Sequence, residues 1–121
     1  MLARMLAGLS LVALLSAATS APGPADPITG TWDMTFLVQG QTFPATMELK
    51  LHGHTVTGKI SSAHTGEGKV TEGTWKNDTL AFVAVFEHHE SIAVSGTIQE
   101  GRLAGQFTTE GFTEKWEAQR R

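Results

Sequence analysis

Cysteine and tyrosine are both absent from the 121-residue chain, and lysine and arginine together number only 9. Without cysteine the chain forms no disulfide, thiolate zinc site, iron–sulfur cluster or cysteine nucleophile. The few basic residues form no stripe, so the electrostatic footprint of a nucleic-acid-binding protein is missing, and no nucleic-acid partner is expected. The chain also contains no Gly-x-Ser-x-Gly elbow, phosphate-binding loop or dinucleotide fingerprint, so no cofactor is indicated.

The first 20 residues have the pattern of a secretory signal peptide. Arg4 precedes an uncharged stretch at 6–15, and small residues follow at 16–20. Because a membrane-spanning helix needs about 20 apolar residues, this stretch is too short to be an anchor. The sequence therefore predicts a cleaved signal peptide at 1–20, a Pro-rich tether at 21–27 and one exported domain at 28–121. We expect the domain to be periplasmic or extracellular, with no membrane span after cleavage.

From Ile28 onward apolar and polar residues alternate, which is typical of half-buried β-strands. Trp32, Met34 and Phe36 share one face, for example, and Leu80 and Phe82 begin another such run. Turn residues separate the runs at 38–41, 52–54, 66–68, 76–78, 88–90, 99–101 and 110–111. Turns this short connect antiparallel neighbours, so we predict eight antiparallel strands in meander order. One irregularity is expected near Gly73, because Val70 and Trp75 are out of phase and a β-bulge between them would correct it.

Four glycines fall in phase with the inward-facing apolar residues, in a weak repeat of the form apolar, small, Gly, variable, apolar. They are Gly30, Gly58, Gly96 and Gly105. Glycine within a strand often marks a tight bend or a close approach of two backbones, which indicates a sheet that curls sharply. Closing an eight-stranded sheet removes both of its edges. The predicted fold is therefore an all-β, up-and-down antiparallel barrel, whose interior holds side chains or one small ligand.

The residues Ile28-Thr-Gly-Thr-Trp32 at the start of the first strand resemble the first-strand signature of the avidin and streptavidin barrels. The Gly-x-Trp pair is also similar to the start of a lipocalin, in which the Trp closes one end of the barrel. The chain thus resembles a small exported bacterial domain of the calycin type. It departs from the avidin pattern, since Asp33 and Met34 follow the Trp and tyrosine is absent, so biotin binding is not carried over.

The preferred functional hypothesis is a barrel that binds a small, largely apolar ligand in its lumen. The predicted ligand-binding residues are inward-facing residues of the barrel and residues near its ends: Trp32, Met34, His54, Phe86, His88, Glu114 and Trp116. One alternative is an isomerase, cyclase or hydrolase in which His54, His88 or Glu114 performs acid–base chemistry. The other is an interaction module with a filled core. The chain's 5 histidines show no fixed metal-ligand spacing, and no metal site is predicted.

The strand around residues 80–86 is apolar on both faces. Ala81, Val83 and Val85 point outward if Phe82 and its neighbours point inward. Because apolar outer faces are usually covered, either a second copy of the chain or the N-terminal tether is expected there. A homodimer is the preferred prediction.

Overall fold

The computed structural model describes residues 26–121, an all-β domain of eight antiparallel strands in one closed barrel. The predicted signal peptide and residues 21–25 of the predicted tether lie outside the described residues. The strands are β1 (Gly30–Val38), β2 (Gln41–His52), β3 (Thr55–Ser62), β4 (Gly66–Lys76), β5 (Thr79–Phe86), β6 (Ile92–Gln99), β7 (Arg102–Thr109) and β8 (Phe112–Arg120). Within this part of the chain, no helix has the length and apolar character needed to cross a membrane.

Closure of the barrel depends on β1, which pairs with both β2 and β8. Trp32, for example, lies opposite Met47 on β2 and opposite Arg120 on β8. Every other strand pairs with its two neighbours in the chain, so the strand order is a meander. The predicted fold class is confirmed, and none of the eight strands has an unpaired edge.

The interior is filled by the inward-facing side chains that the alternation predicts. Trp32, Met47, Leu80 and Leu103 are each 0% exposed, and the two other tryptophans are also buried. Phe43 is in phase with the inward-facing residues of β2, yet it is 37% exposed because it lies close to one end of the barrel, beside the β1–β2 turn. The packed core therefore occupies the middle of the barrel rather than its whole length.

The four in-phase glycines mark close approaches, as predicted. Gly96 and Gly105 lie opposite each other on β6 and β7, and a Cβ at Gly105 would overlap the Ser95 carbonyl and Gly96 Cα. The space above them is taken by Trp116, whose Nε1 donates to the Ser95 and Gln106 carbonyls at 2.9 and 3.1 Å. At Gly58 a Cβ would likewise meet a backbone atom, the Glu48 carbonyl oxygen, whereas at Gly30 it would meet the guanidinium at the end of the flexible Arg120 side chain.

A β-bulge in β4 confirms the irregularity predicted near Gly73. The pairing with β5 shifts register between Thr71 and Thr74, and Glu72 has a positive φ of 53°. The Thr71 hydroxyl donates to the Val83 carbonyl at 2.8 Å, which holds the bulged strand against its neighbour. The bulge brings Val70 and Trp75 to the same inner face, where both are buried.

The turn predicted at 66–68 is wrong, because these residues begin β4 and the turn lies at 63–65. Ser and Thr side chains form this turn: the Thr65 N–H donates to Ser62 Oγ at 3.1 Å, and the two hydroxyls lie 2.8 Å apart. Gly68 is buried in the strand beneath the Phe86 ring, which a Cβ would overlap. The glycine thus reflects close packing, which a single sequence does not distinguish from a turn.

One end of the barrel is closed by the residues that precede β1. The Asp26 carboxylate accepts hydrogen bonds from the Ile28 N–H at 2.8 Å and from the Thr29 N–H and hydroxyl at 2.6 and 2.7 Å. This turn places Ile28 in the barrel, where it is 0% exposed. The Trp32 Nε1 donates to the Ile28 carbonyl at 2.9 Å. Asp26 and Pro27 were predicted to be tether, but they are held against the barrel, and β1 begins at Gly30 rather than Ile28.

Arg120 at the end of β8 fastens the same segment. Its guanidinium donates to the Pro27 carbonyl at 2.6 Å and also to the Thr29 carbonyl. The guanidinium lies 4.7 Å from the centre of the Trp32 ring, within cation–π range. The two ends of the described chain therefore meet at this closed end.

Candidate functional site

The two ends of the barrel differ, and only one of them is closed by a chain segment. Because strand direction alternates, the β1–β2, β3–β4, β5–β6 and β7–β8 connections gather at the end opposite Ile28. We call this the open end. The longest connection, at 87–91 between β5 and β6, belongs to it.

A cavity of about 290 Å³ occupies the open end. Its lining combines residues of the upper strands with residues of all four connections: Phe36, Val38, Gln39, Phe43, Ser62, His64, Thr65, His89, Ile92, Phe107, Thr109, Glu110 and Phe112. Four of the chain's 6 phenylalanines are in this set. The mouth of a β-barrel is a common place for a ligand cavity, and a mostly apolar lining with a few polar groups is typical of one.

The buried Phe36 and Phe107 form the floor of the cavity, and Thr109 and Phe112 extend its wall toward the mouth. Phe36 and Phe107 pack edge to face with ring centres 4.7 Å apart, and Phe112 contacts Phe107 in the same way at 6.1 Å. Thr109 is 5% exposed, and its hydroxyl donates to the Ser91 carbonyl at 3.0 Å. Because that bond uses the hydroxyl proton, the oxygen lone pairs remain as acceptors for a bound molecule.

The rim on the β3–β6 side is a chain of aromatic rings. The His64 ring lies 6.2 Å from Phe43 and 5.2 Å from His89, and His89 lies 5.7 Å from Phe86. Two connections far apart in sequence, 63–65 and 87–91, are thus joined by imidazole contacts. The rim offers the cavity both ring surfaces and imidazole nitrogens.

Hydrogen bonds fix the 87–91 connection at the rim. His89 Nδ1 lies 2.6 Å from the Glu90 carbonyl, and since a carbonyl only accepts, Nδ1 carries the proton. Nε2 of neutral His89 is then an acceptor. The Glu90 carboxylate accepts from the Glu110 N–H at 2.8 Å, which ties the connection to the β7–β8 turn.

None of the sequence-predicted ligand-binding residues lines this cavity. Trp32, Met34 and Trp116 are 0–1% exposed and belong to the packed core beneath the floor. Phe86 stands behind His89 at the rim. Glu114 is half-buried on β8, between Phe112 of the cavity and Trp116 of the core.

The three residues of the acid–base hypothesis are divided between the two ends. His54 lies in the β2–β3 connection beside the closed end, where its Nδ1 donates to the Trp75 carbonyl at 3.0 Å. His88 is at the open end but points into solvent, with 91% of its side chain exposed and Glu87 3.7 Å away. Glu114 is also nearer the open end. The structure therefore provides no single site in which His54, His88 and Glu114 meet.

Sequence reasoning missed the residues that do line the cavity, above all His64, His89, Thr109 and Glu110. The predicted meander order could have revealed these residues, because it places every second connection at the same end of the barrel. Grouping the connections near residues 39, 64, 89 and 110 would have brought the two histidines and Glu110 together. How far the core fills the barrel, which determines the depth of the cavity, is a property of three-dimensional packing.

The predicted interface residues lie on the outer wall of the barrel. Ala81 and Val83 are partly exposed, and Val85 is 47% exposed. They point outward as the alternation predicts, and the homodimer itself stays a prediction.

Acidic and histidine residues of the described chain do not form a metal cluster. No group of three or more His, Asp or Glu side chains among residues 26–121 is arranged to hold a metal ion. Compared with models of protein families and with curated proteins, the chain matches none.

Proposed function

We propose that this chain is an exported, calycin-like barrel that binds one small, largely apolar molecule in the cavity at its open end. The observation that carries the proposal is the cavity itself, which the packed core leaves vacant between Phe36, Phe107 and the four connections. A filled-core interaction module would have no need of such a space. The signal-peptide pattern at 1–20 supports export.

The size of the cavity limits the ligand. A dry protein cavity of about 150 Å³ accommodates benzene, and the cavity here is about 290 Å³. It therefore suits a molecule of one or two rings rather than a long lipid. The buried Thr109 hydroxyl and the imidazoles at the rim are the groups that would orient a polar substituent.

The proposal is tested by titrating indole, a neutral two-ring probe, into protein expressed from the full chain and following NMR signals. We expect saturable shifts of open-end signals, including those of His64 and Phe112, while closed-end signals such as His54 stay fixed. Replacing Phe43, a rim residue, by alanine should weaken binding about tenfold, or about 1.4 kcal/mol, because part of the apolar wall is lost.

Val85→Ala is the matched control for Phe43→Ala. Both residues are large, exposed apolar side chains, but Val85 lies on the outer wall. The control should bind indole like the unmodified protein. Shifts that do not saturate, or that spread over the outer wall and closed end, would overturn the proposal.

A further inference from the structure

We propose that the open-end cavity selects a small organic cation, an aromatic or alkyl ammonium ion, over neutral and anionic molecules of the same shape. The inference rests on the proposed function and adds the charge of the ligand. Two independent features of the cavity carry it: the sign of the ionised groups around it and the aromatic character of its lining.

Apart from the histidines, the ionisable residues of the four open-end connections are all acidic. Glu110 is the only lining residue of the described chain, apart from the histidines, with an ionisable side chain. Glu87 and Glu90 lie on the 87–91 connection, where the Glu90 carboxylate accepts from the Glu110 N–H, and Glu114 follows on β8. No lysine or arginine is among the lining residues. An ammonium ion entering the cavity would therefore meet only attractive fixed charges.

The lysines nearest this end are directed away from the cavity. Lys59 and Lys69 lie opposite each other on the outer wall, and Lys59 pairs with Glu67 at 3.7 Å. Lys115 is exposed on β8 and out of phase with the inward-facing Phe112 and Trp116. No lysine among residues 26–121 therefore points into the cavity to offset the negative charge of the glutamates at the open end.

The aromatic lining supplies the second attraction. Four phenylalanine rings and two imidazoles surround the cavity, and rings of this kind attract cations when the centre of the ring lies within about 6 Å. The proposed Nε2 acceptor of neutral His89 can take a hydrogen bond from a ligand N–H. An aromatic enclosure with a carboxylate at its edge is the arrangement that recognises alkylated ammonium groups.

The two histidines make this selectivity dependent on pH. His64 and His89 line the cavity, so protonation of either imidazole places a positive charge beside the ligand. The other ionisable groups of this end are Glu87, His88, Glu90, Glu110 and Glu114, together with Lys59, Glu67, Lys69 and Lys115 on the outer wall. Acidification that protonates the two rings therefore weakens the binding of a cation.

The test compares three probes with one phenyl ring and a tetrahedral head group: phenyltrimethylammonium, tert-butylbenzene and benzenesulfonate. Dissociation constants are measured by NMR titration of the full chain at pH 8.0 and pH 5.5. At pH 8.0 we expect the cation to bind about fivefold or more tightly than the neutral probe, and benzenesulfonate to bind most weakly. At pH 5.5 the advantage of the cation should fall, and replacing His64 and His89 together by glutamine should abolish that fall.

A matched pair of variants isolates the charge of Glu110. Glu110 and Glu100 each precede a glycine in a two-residue turn and have nearly equal positive φ angles of 51° and 52°, but the turns lie at opposite ends. Glu110→Gln should weaken phenyltrimethylammonium binding about threefold without altering that of tert-butylbenzene. Glu100→Gln should alter neither.

The outcomes separate the inference from the proposed function. If neither indole nor any of the three probes binds at the open end, the proposed function is wrong. If all three probes bind equally, or if benzenesulfonate binds best at pH 8.0, only the selectivity for cations is overturned. An equal effect of Glu110→Gln on the cation and on the neutral probe would likewise contradict the role of charge.

Discussion

Asp26 shows how a single carboxylate organises the closed end. It accepts bonds from three donors of Ile28 and Thr29, and so turns the chain to bury Ile28. The Thr29 N–H lowers the pKa of Asp26 below its ordinary value of 3.8, with further lowering by the Thr29 hydroxyl, the Ile28 N–H and the charge of Arg120, against an opposing effect of burial. The ionised form is therefore the one that the folded state stabilises.

Asp26→Asn should lower the free energy of unfolding at pH 7 by about 1 kcal/mol, a figure reduced for exposure to solvent. Because the folded-state pKa is the lower one, the contribution is complete above pH 3.8 and is lost as the pH falls through the folded value. Urea unfolding at pH 7 and pH 2.5 should thus show a difference that disappears in acid. Asp33→Asn, which removes an exposed pair with Arg121, is the control and should have little effect.

His64 and His89 illustrate what a single sequence can and cannot predict at the level of residues. The sequence pattern gave neither histidine a role in a site. Periodicity indicates which face of a strand a side chain is on, but it does not indicate which residues of other strands lie beside it. Their ring contact at 5.2 Å depends on the β3–β4 and β5–β6 connections lying at the same end. The cavity residues therefore become visible only when the topology is applied to the turns.

At the scale of strands, local pattern was sufficient to predict most of the architecture. Alternation requires only neighbouring residues, so eight strands, their antiparallel order and the bulge near Gly73 could all be predicted. The turn at 63–65 could not, because its Ser and Thr residues are weaker turn signals than the glycines of the strand that follows. The mistake concerned a glycine that serves packing between β4 and β5.

The pairing of Gly68 with Phe86 can be tested directly. Gly68→Ala should destabilise the protein, because a Cβ would overlap the Phe86 ring that lies opposite on β5. In a Phe86→Ala background the same change should be much less harmful, which gives a coupling of about 1 kcal/mol or more in a double-mutant cycle measured by urea unfolding.

Gly105→Ala provides a comparison for Gly68→Ala. Here the obstruction is the Ser95 carbonyl and Gly96 Cα, both backbone atoms that cannot turn aside. It should cost about 3 kcal/mol or more, and Phe86→Ala should not relieve it. Additive effects of Gly68→Ala and Phe86→Ala would show that the ring does not determine the choice of glycine at position 68.

At the scale of the whole molecule, the barrel combines a fastened end with an accessible one. The closed end joins the segment before β1 to the end of β8, whereas the open end gathers the connections that line the cavity. Packing around Trp32 and Trp116 fills the middle, and the vacant space remains above Phe36 and Phe107. Ligand entry should therefore take place at one end without disturbing the seam between β1 and β8.

Two adjacent arginines allow us to measure how much the contacts between the end of β8 and the segment before β1 contribute to stability. Arg120 donates to the carbonyls of Pro27 and Thr29 and lies over Trp32, so Arg120→Ala should lower the free energy of unfolding by about 1–2 kcal/mol. Arg121 pairs with Asp33 in solvent, and Arg121→Ala should leave the urea midpoint almost unchanged. Arg120→Lys, which keeps the positive charge but not the planar guanidinium, should have an intermediate free energy of unfolding.

Because the cavity lies at the other end, indole affinity should be the same in all three variants. Equal destabilisation by Arg120→Ala and Arg121→Ala would show that net charge, and not the fastening of the closed end, is what these residues contribute.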